Sequence, residues 1–156
     1  MTVAIIKIKP VHPDARMPER KSDRAAAYDC AAVGIPGGSL TIPPGGFATV
    51  GTGLSCEFPS GWCLKVFSRS GHGFKLAVSL SNSVGLIDED YTGEIQLSLR
   101  NDGSEPFVVR DGDRVAQLKF EKTDPVELLW WTDALHETAR GANGFGSTGV
   151  AAEGSA

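Results

Sequence analysis

The chain has 156 residues, enough for one domain with its own core, and 41% hydrophobic against 22% charged residues is an ordinary globular balance. No charged-then-apolar leader opens it and its apolar runs are only a few residues long, so no signal segment or membrane span is expected and the cytoplasm is the expected compartment. A formal net charge of −4 without a Lys/Arg run argues against a nucleic-acid polymer as partner, but not against a small anion held by a few placed arginines.

Along the chain, glycine and proline (19 and 9 residues) punctuate short segments. Turn chemistry appears at Pro43-Pro44-Gly45-Gly46, at Asn101-Asp102-Gly103 and at Asp111-Gly112. Between the turns, apolar residues recur with a period of two: Leu54, Cys56 and Phe58; then Leu76, Val78 and Leu80; then Ile95, Leu97 and Leu99. That period predicts half-buried strands, and many short strands at this spacing predict an all-β, jelly-roll-like barrel or sandwich. Residues 126–138 fit a helix or, over Val126 to Trp131, a strand, and the strand is the preferred reading. Beyond Thr138 small residues dominate, with glycine at 141, 144, 146 and 149. Such a tail builds no core, so it is either disordered or ordered by something it covers. The expected division is a β domain over 1–138 and an arm over 139–156.

The three cysteines (30, 56 and 63) form no Cys-x-x-Cys pair and are read as free thiols, and the three histidines (12, 72 and 136) show no metal-ligand spacing. Three other stretches carry chemistry. Arg69-Ser70-Gly71 sets a guanidinium, a hydroxyl and a flexible backbone N–H in a row, which makes either a phosphate cradle or a polar turn. Asn82 to Tyr91 places an amide, a glycine, three acids and an aromatic in ten residues. As a hairpin it could read a flat polar base and offer a carboxylate as general base, or it could be an acidic surface turn. Gly144-Phe145-Gly146-Ser147-Thr148-Gly149 fits a lid that stacks on a base and binds phosphate, or a plain Gly/Ser tail.

Five segments spanning residues 26–149 stand out around these stretches: Ala26-Ala27-Tyr28-Asp29-Cys30, Ser68-Arg69-Ser70-Gly71, the run from Gly85 to Ile95, Gly112-Asp113-Arg114-Val115-Ala116-Gln117-Leu118, and the run from Arg140 to Gly149. In order and spacing they resemble the five motifs of the trimeric dUTPase family. The resemblance implies a jelly-roll fold and a homotrimer with sites shared between subunits. It implies hydrolysis of dUTP to dUMP and pyrophosphate by water attack at the α-phosphorus. That activity would lower dUTP and supply dUMP for thymidylate synthesis. By the same resemblance Asp88 activates the water. Asn82, with the backbone at Gly85 and Ile87, recognises uracil, and Tyr91 packs on the deoxyribose and excludes a 2′-hydroxyl. Arg69, Ser70, Gly71 and Gln117 hold the phosphates, and Asp29 meets Mg²⁺ through water, the ion being held mainly by the triphosphate. From the arm, Arg140, Gly146, Ser147 and Thr148 reach the terminal phosphates and Phe145 stacks on uracil. Asp113 and Arg114 support the site.

Ala27, Cys30, Ser68 and Asn143 depart from the family pattern, and none of them removes a catalytic side chain. dCTP deaminase, a related fold, is the nearest alternative. It needs a catalytic glutamate where this chain carries Ser98. A nucleotide-binding regulator without catalysis is the alternative of another class.

Overall fold

The computed structural model describes residues 3–143. The chain divides into two units, Met1–Pro125 and Val126–Ala156. The first holds all the strands among the described residues: β1 (Lys7–Pro10), β2 (Tyr28–Ala31), β3 (Ser39–Ile42), β4 (Phe47–Gly51), β5 (Leu54–Glu57), β6 (Trp62–Ser68), β7 (Val78–Leu80), β8 (Val84–Ile87), β9 (Gln96–Asn101), β10 (Phe107–Arg110) and β11 (Arg114–Lys122). One short helix, α1 (Ser70–Leu76), follows β6. Every strand pair is antiparallel, and the sheets run β2-β11-β6-β8, β4-β9-β7, β1-β5 and β3-β10. The expected all-β architecture is borne out.

Alternation explains the inner faces. Ile95, Leu97 and Leu99 are each 1% exposed, while Gln96 and Arg100 face out. They join Leu64, Val66 and Leu118 in one core, where each buried aliphatic side chain contributes about 1.5–3 kcal/mol over its exposed state. The Pro43–Gly46 turn closes with Gly46 N–H to Pro43 O at 2.9 Å and has Gly45 at φ 75°. It joins no hairpin, because β3 pairs with β10 and β4 with β9, so the chain changes sheets there. At the next corner the fully buried Asn101 donates to Ile42 O (2.9 Å) and Glu105 O (2.8 Å) and accepts from Gly103 N–H (2.9 Å). A buried amide is tolerated because its bonds are made.

Three expectations are corrected. Leu76 is not the first inward residue of a strand: it ends α1, and Ala77, at φ 52° and ψ 37°, stops the helix before β7. Residues 82–91 do not form a hairpin of their own, since their one strand, β8, pairs with β6. Val126 to Trp131 is neither helix nor strand, and Val126, Leu128 and Trp130 are 81%, 92% and 101% exposed. An extended segment needs a partner for its N–H and C=O groups, and among the described residues none pairs with it.

The cysteines are free and buried, as expected. Burial pushes the Cys30 thiol up to about 12 and the Cys56 thiol up to about 11, which disfavours the thiolate form of both. No helix among the described residues is long and apolar enough to cross a membrane.

Candidate active site

The first group of site residues gathers on the outer face of the four-stranded sheet. The register of β11 against β2 shifts between Arg114 and Ala116, a β-bulge that lets Val115 and Ala116 both turn inward. Beyond it Ala116 and Leu118 point to the core, so Gln117 stands on the opposite face beside Asp29, its partner on β2. Gln117 Nε2 donates to Asp29 Oδ1 at 3.1 Å, and Arg114 Nη1 donates to Asp29 Oδ2 at 2.7 Å. Arg69, next after β6, brings Nη2 to 3.9 Å from the same Oδ2 and donates from Nη1 to the carbonyl of Arg114 at 2.8 Å. The Asp29 side chain is only 9% exposed, so this is a largely desolvated carboxylate held by two guanidiniums and an amide. Ser70 and Gly71 open α1, in the first turn of a helix, where N–H groups lack intrahelical partners.

The second group follows β8, at the other edge of the same sheet. Ser83 adopts a left-handed φ of 63°, and Val84 N–H closes on Asn82 O at 2.7 Å, which turns the chain sharply between β7 and β8. Asn82, Gly85 and Ile87 then line a cavity of about 230 Å³, with Leu80 and Ser98 on other walls. A Cβ at Gly85 would stand 3.1 Å from Val66 Cβ, a tight contact that would push on Val66. As an edge strand, β8 leaves one row of backbone N–H and C=O groups outside its ladder. Asp88 follows, exposed, with its carbonyl taking Tyr91 N–H at 3.2 Å. The Tyr91 hydroxyl donates to Glu94 O at 2.9 Å and fixes the ring over Gly93, where a Cβ would lie 2.5 Å from that hydroxyl oxygen.

Asp29, Arg69 and Gln117 are thus together, and so are Asn82, Gly85 and Ile87, with Asp88 and Tyr91 in the adjoining turn. No hydrogen bond or ion pair among the described residues joins the two groups, although β6, which Arg69 follows, neighbours β8. The register runs Val84–Phe67–Gln117–Asp29 across the sheet, and at about 4.8 Å per strand the ends of that row are about 14 Å apart. Arg140 lies in the second unit, where its Nε donates to Asn143 O at 3.2 Å. Phe145, Gly146, Ser147 and Thr148 lie outside the described residues.

Two further residues belong to the first group. Arg114, expected only as support, pairs directly with Asp29. His72 touches Arg69 through Nε2 at 3.2 Å. Only its place three residues after Arg69 hinted at that, and without the helix the hint cannot be read. For a metal, the described residues offer no cluster of three or more His, Cys, Asp or Glu side chains. Both Asp29 oxygens already accept hydrogen bonds, which fits contact with a divalent ion through water and not a protein cage.

The described residues thus form an antiparallel β fold with a carboxylate–arginine–amide cluster around Asp29 and a cavity beside β8. Comparison with known proteins is more specific. The family model described as dUTPase matches residues 13–149. The deoxyuridine 5'-triphosphate nucleotidohydrolase of Desulfitobacterium hafniense is 51% identical over 114 residues, covering 71% of this chain and 74% of that protein. That of Wolinella succinogenes is 42% identical over 144 residues, covering 92% and 93%. A mutant of the Staphylococcus bacteriophage 80alpha dUTPase solved with dUpNHpp superposes with a TM-score of 0.82 at 24% identity, covering 94% of this chain and 99% of that one, and shows the shared fold. The chain belongs to the dUTPase family. The enzymatic activity that goes with the family, hydrolysis of deoxyuridine triphosphate, is the one its motifs lead one to expect.

Proposed function

We propose that the enzyme binds dUTP between copies of the chain in a homotrimer and hydrolyses it to dUMP and pyrophosphate. The base-reading group of one copy would then work with the phosphate-binding group of another. The observation that carries this is the placement of Asp29 on β2 and of the Asn82–Tyr91 segment beside β8, the two edges of one sheet. The exposed Val126, Leu128 and Trp130 add apolar surface suited to burial between copies.

In this reading uracil enters the cavity beside β8. The Asn82 amide and the backbone of Gly85 and Ile87 match its donor–acceptor pattern. Tyr91, anchored through its hydroxyl, stands against the deoxyribose and leaves no room for a 2′-hydroxyl. Arg69, Ser70, Gly71 and Gln117 bind the phosphates. Asp88 takes the proton of a water that attacks the α-phosphorus, and pyrophosphate leaves. Asp29 would reach a Mg²⁺ ion through water, the ion being held mainly by the triphosphate, and such an ion would offset phosphate charge. The arm over 139–156 brings Arg140, Gly146, Ser147 and Thr148 to the terminal phosphates and Phe145 to the base. A soluble substrate and three free thiols suit the cytoplasm. Deamination is disfavoured, because Ser98 on the cavity wall is hydrogen-bonded to the Ser81 hydroxyl at 2.9 Å and supplies no carboxylate.

Pyrophosphate release from dUTP, dCTP, dTTP and UTP in the presence of Mg²⁺ tests the reading. Release from dUTP alone is expected. Tyr91→Ala should narrow the gap between dUTP and UTP, and equal loss on both would remove the steric role of Tyr91.

A further inference from the structure

His72 takes no part in the reaction as described, yet it sits against the residue that the phosphate reading depends on. It lies in the first turn of α1, three residues after Arg69, with the Gly73 and His72 N–H groups both closing on Arg69 O at 3.0 and 3.1 Å. Its ring packs edge-on against Phe107 of β10, with centroids 5.2 Å apart. The imidazole is therefore held from two elements and cannot swing freely.

Its Nε2 lies 3.2 Å from Arg69 Nη1. The same Nη1 donates to Arg114 O at 2.8 Å. A guanidinium nitrogen carries two hydrogens and accepts nothing, so both neighbours must be acceptors. Nε2 must then be the bare nitrogen of a neutral ring, and the proton must sit on Nδ1. That nitrogen is buried with no partner among the described residues. Burial, with the charge of Arg69 next, lowers the pKa of His72 below the usual histidine value, while Asp113 opposes and Arg114 adds to the shift. That direction favours the neutral ring that the bond requires. A buried ring that leaves one nitrogen unsatisfied in order to face an arginine with the other is costly to keep as mere packing.

We propose that His72 is a positioning residue: its neutral imidazole accepts a hydrogen bond from Arg69 Nη1 and, with the carbonyl of Arg114, fixes the guanidinium so that Nε and Nη2 face the phosphate chain. Among the described residues neither Nε nor Nη2 makes a hydrogen bond, and Nη2 stands 3.9 Å from Asp29. The plane of the fork is set by Nη1, and the remaining donors are presented without a search. The proposal rests on the phosphate-binding role of Arg69.

Two measurements test it. Histidine nitrogen NMR on the unmodified protein reads the tautomer of His72, assigned by loss of its signal in His72→Gln. The Nδ1–H form is expected, against the Nε2–H form that imidazoles ordinarily prefer in water. An Nε2–H or charged ring at neutral pH would overturn the proposal whatever any variant does. The second measurement is affinity for dUpNHpp. His72→Leu keeps an apolar body against Phe107 and removes the acceptor, and should weaken binding about tenfold. His72→Gln restores an acceptor and should recover most of that loss, which a packing role would not. In an Arg69→Ala background, His72→Leu should cost nothing more. Parental affinity in His72→Leu, or the full loss persisting without Arg69, would overturn the role of His72 alone. Unchanged affinity in Arg69→Ala would overturn the phosphate reading as well, while the tautomer would still decide whether the bond exists.

Discussion

Asp88 is exposed at the end of an edge strand, with its carbonyl tied into the turn by Tyr91 and its carboxylate directed to no partner among the described residues. Asp29 is the opposite case, largely buried and held by Arg114, Arg69 and Gln117. Both Asp29 oxygens already accept hydrogen bonds, from Arg114 and Gln117, so Asp29 suits charge balance, and the exposed Asp88 is the carboxylate open to a water. Asp88→Asn keeps the side-chain shape and removes the basic oxygen. We expect kcat to fall by about 10²–10⁴ with dUpNHpp still bound and the melting temperature unchanged, because the position is exposed. Turnover near the parent rate would assign the base elsewhere. All of these residues could be named from the sequence, because each sits in a short motif. The ties between them could not: that Arg114 reaches Asp29 depends on two strands eighty-odd positions apart in the chain lying side by side.

At the scale of elements, what was legible is what periodicity encodes. Ile95, Leu97 and Leu99 alternate and are buried as read, and the glycine turn at 43–46 bends where its chemistry says. The helix α1 was not legible. Gly71 and Gly73 are weak helix formers and Arg69 offers no side-chain cap, so the local signal opposed a helix that forms nonetheless. The bulge at Arg114 was not legible either, although with Val115 and Ala116 both turned inward it is what brings Arg114 to the face of Asp29 and Gln117, since bulges depend on the partner strand. The exposed run from Val126 to Trp131 has a strand's composition without a partner among the described residues. The corner after β9 carries a test at this scale. Asn101 joins three backbone groups around the turn, and Gly103 is packed so closely that a Cβ would stand 2.5 Å from Leu76 O. Asn101→Ala leaves two carbonyls and an N–H unpaired in a buried place. It should lower unfolding free energy by about 1–3 kcal/mol in a denaturant titration with unchanged m-value. Wild-type stability in that variant would show that water replaces the amide at no cost.

At the scale of the molecule, one chain carries both groups of the proposed site, with Asp29 and the Asn82–Tyr91 segment at the two edges of one sheet. The cavity beside β8 and the Asp29 cluster stand at opposite edges of a four-stranded sheet, and a triphosphate bound by both must bridge two copies or reach across the sheet. The two arrangements give opposite results in a mixing experiment. Asp88→Asn spoils the base side of its own chain and leaves its Arg69 intact. Arg69→Ala spoils the phosphate side and leaves Asp88 intact. Each variant alone should be nearly inactive. If the halves of a site come from different chains, oligomers formed from a co-refolded mixture contain sites in which Asp88 of one variant faces Arg69 of the other, and activity returns. If each chain completes its own site, every site keeps one defect in any mixture and nothing returns. Sedimentation of the parent protein should show a trimer, and activity should fall on dilution below the concentration at which the trimer dissociates. A fully active monomer, or a mixture no more active than its parts, would place the whole reaction within a single chain and end the shared-site reading.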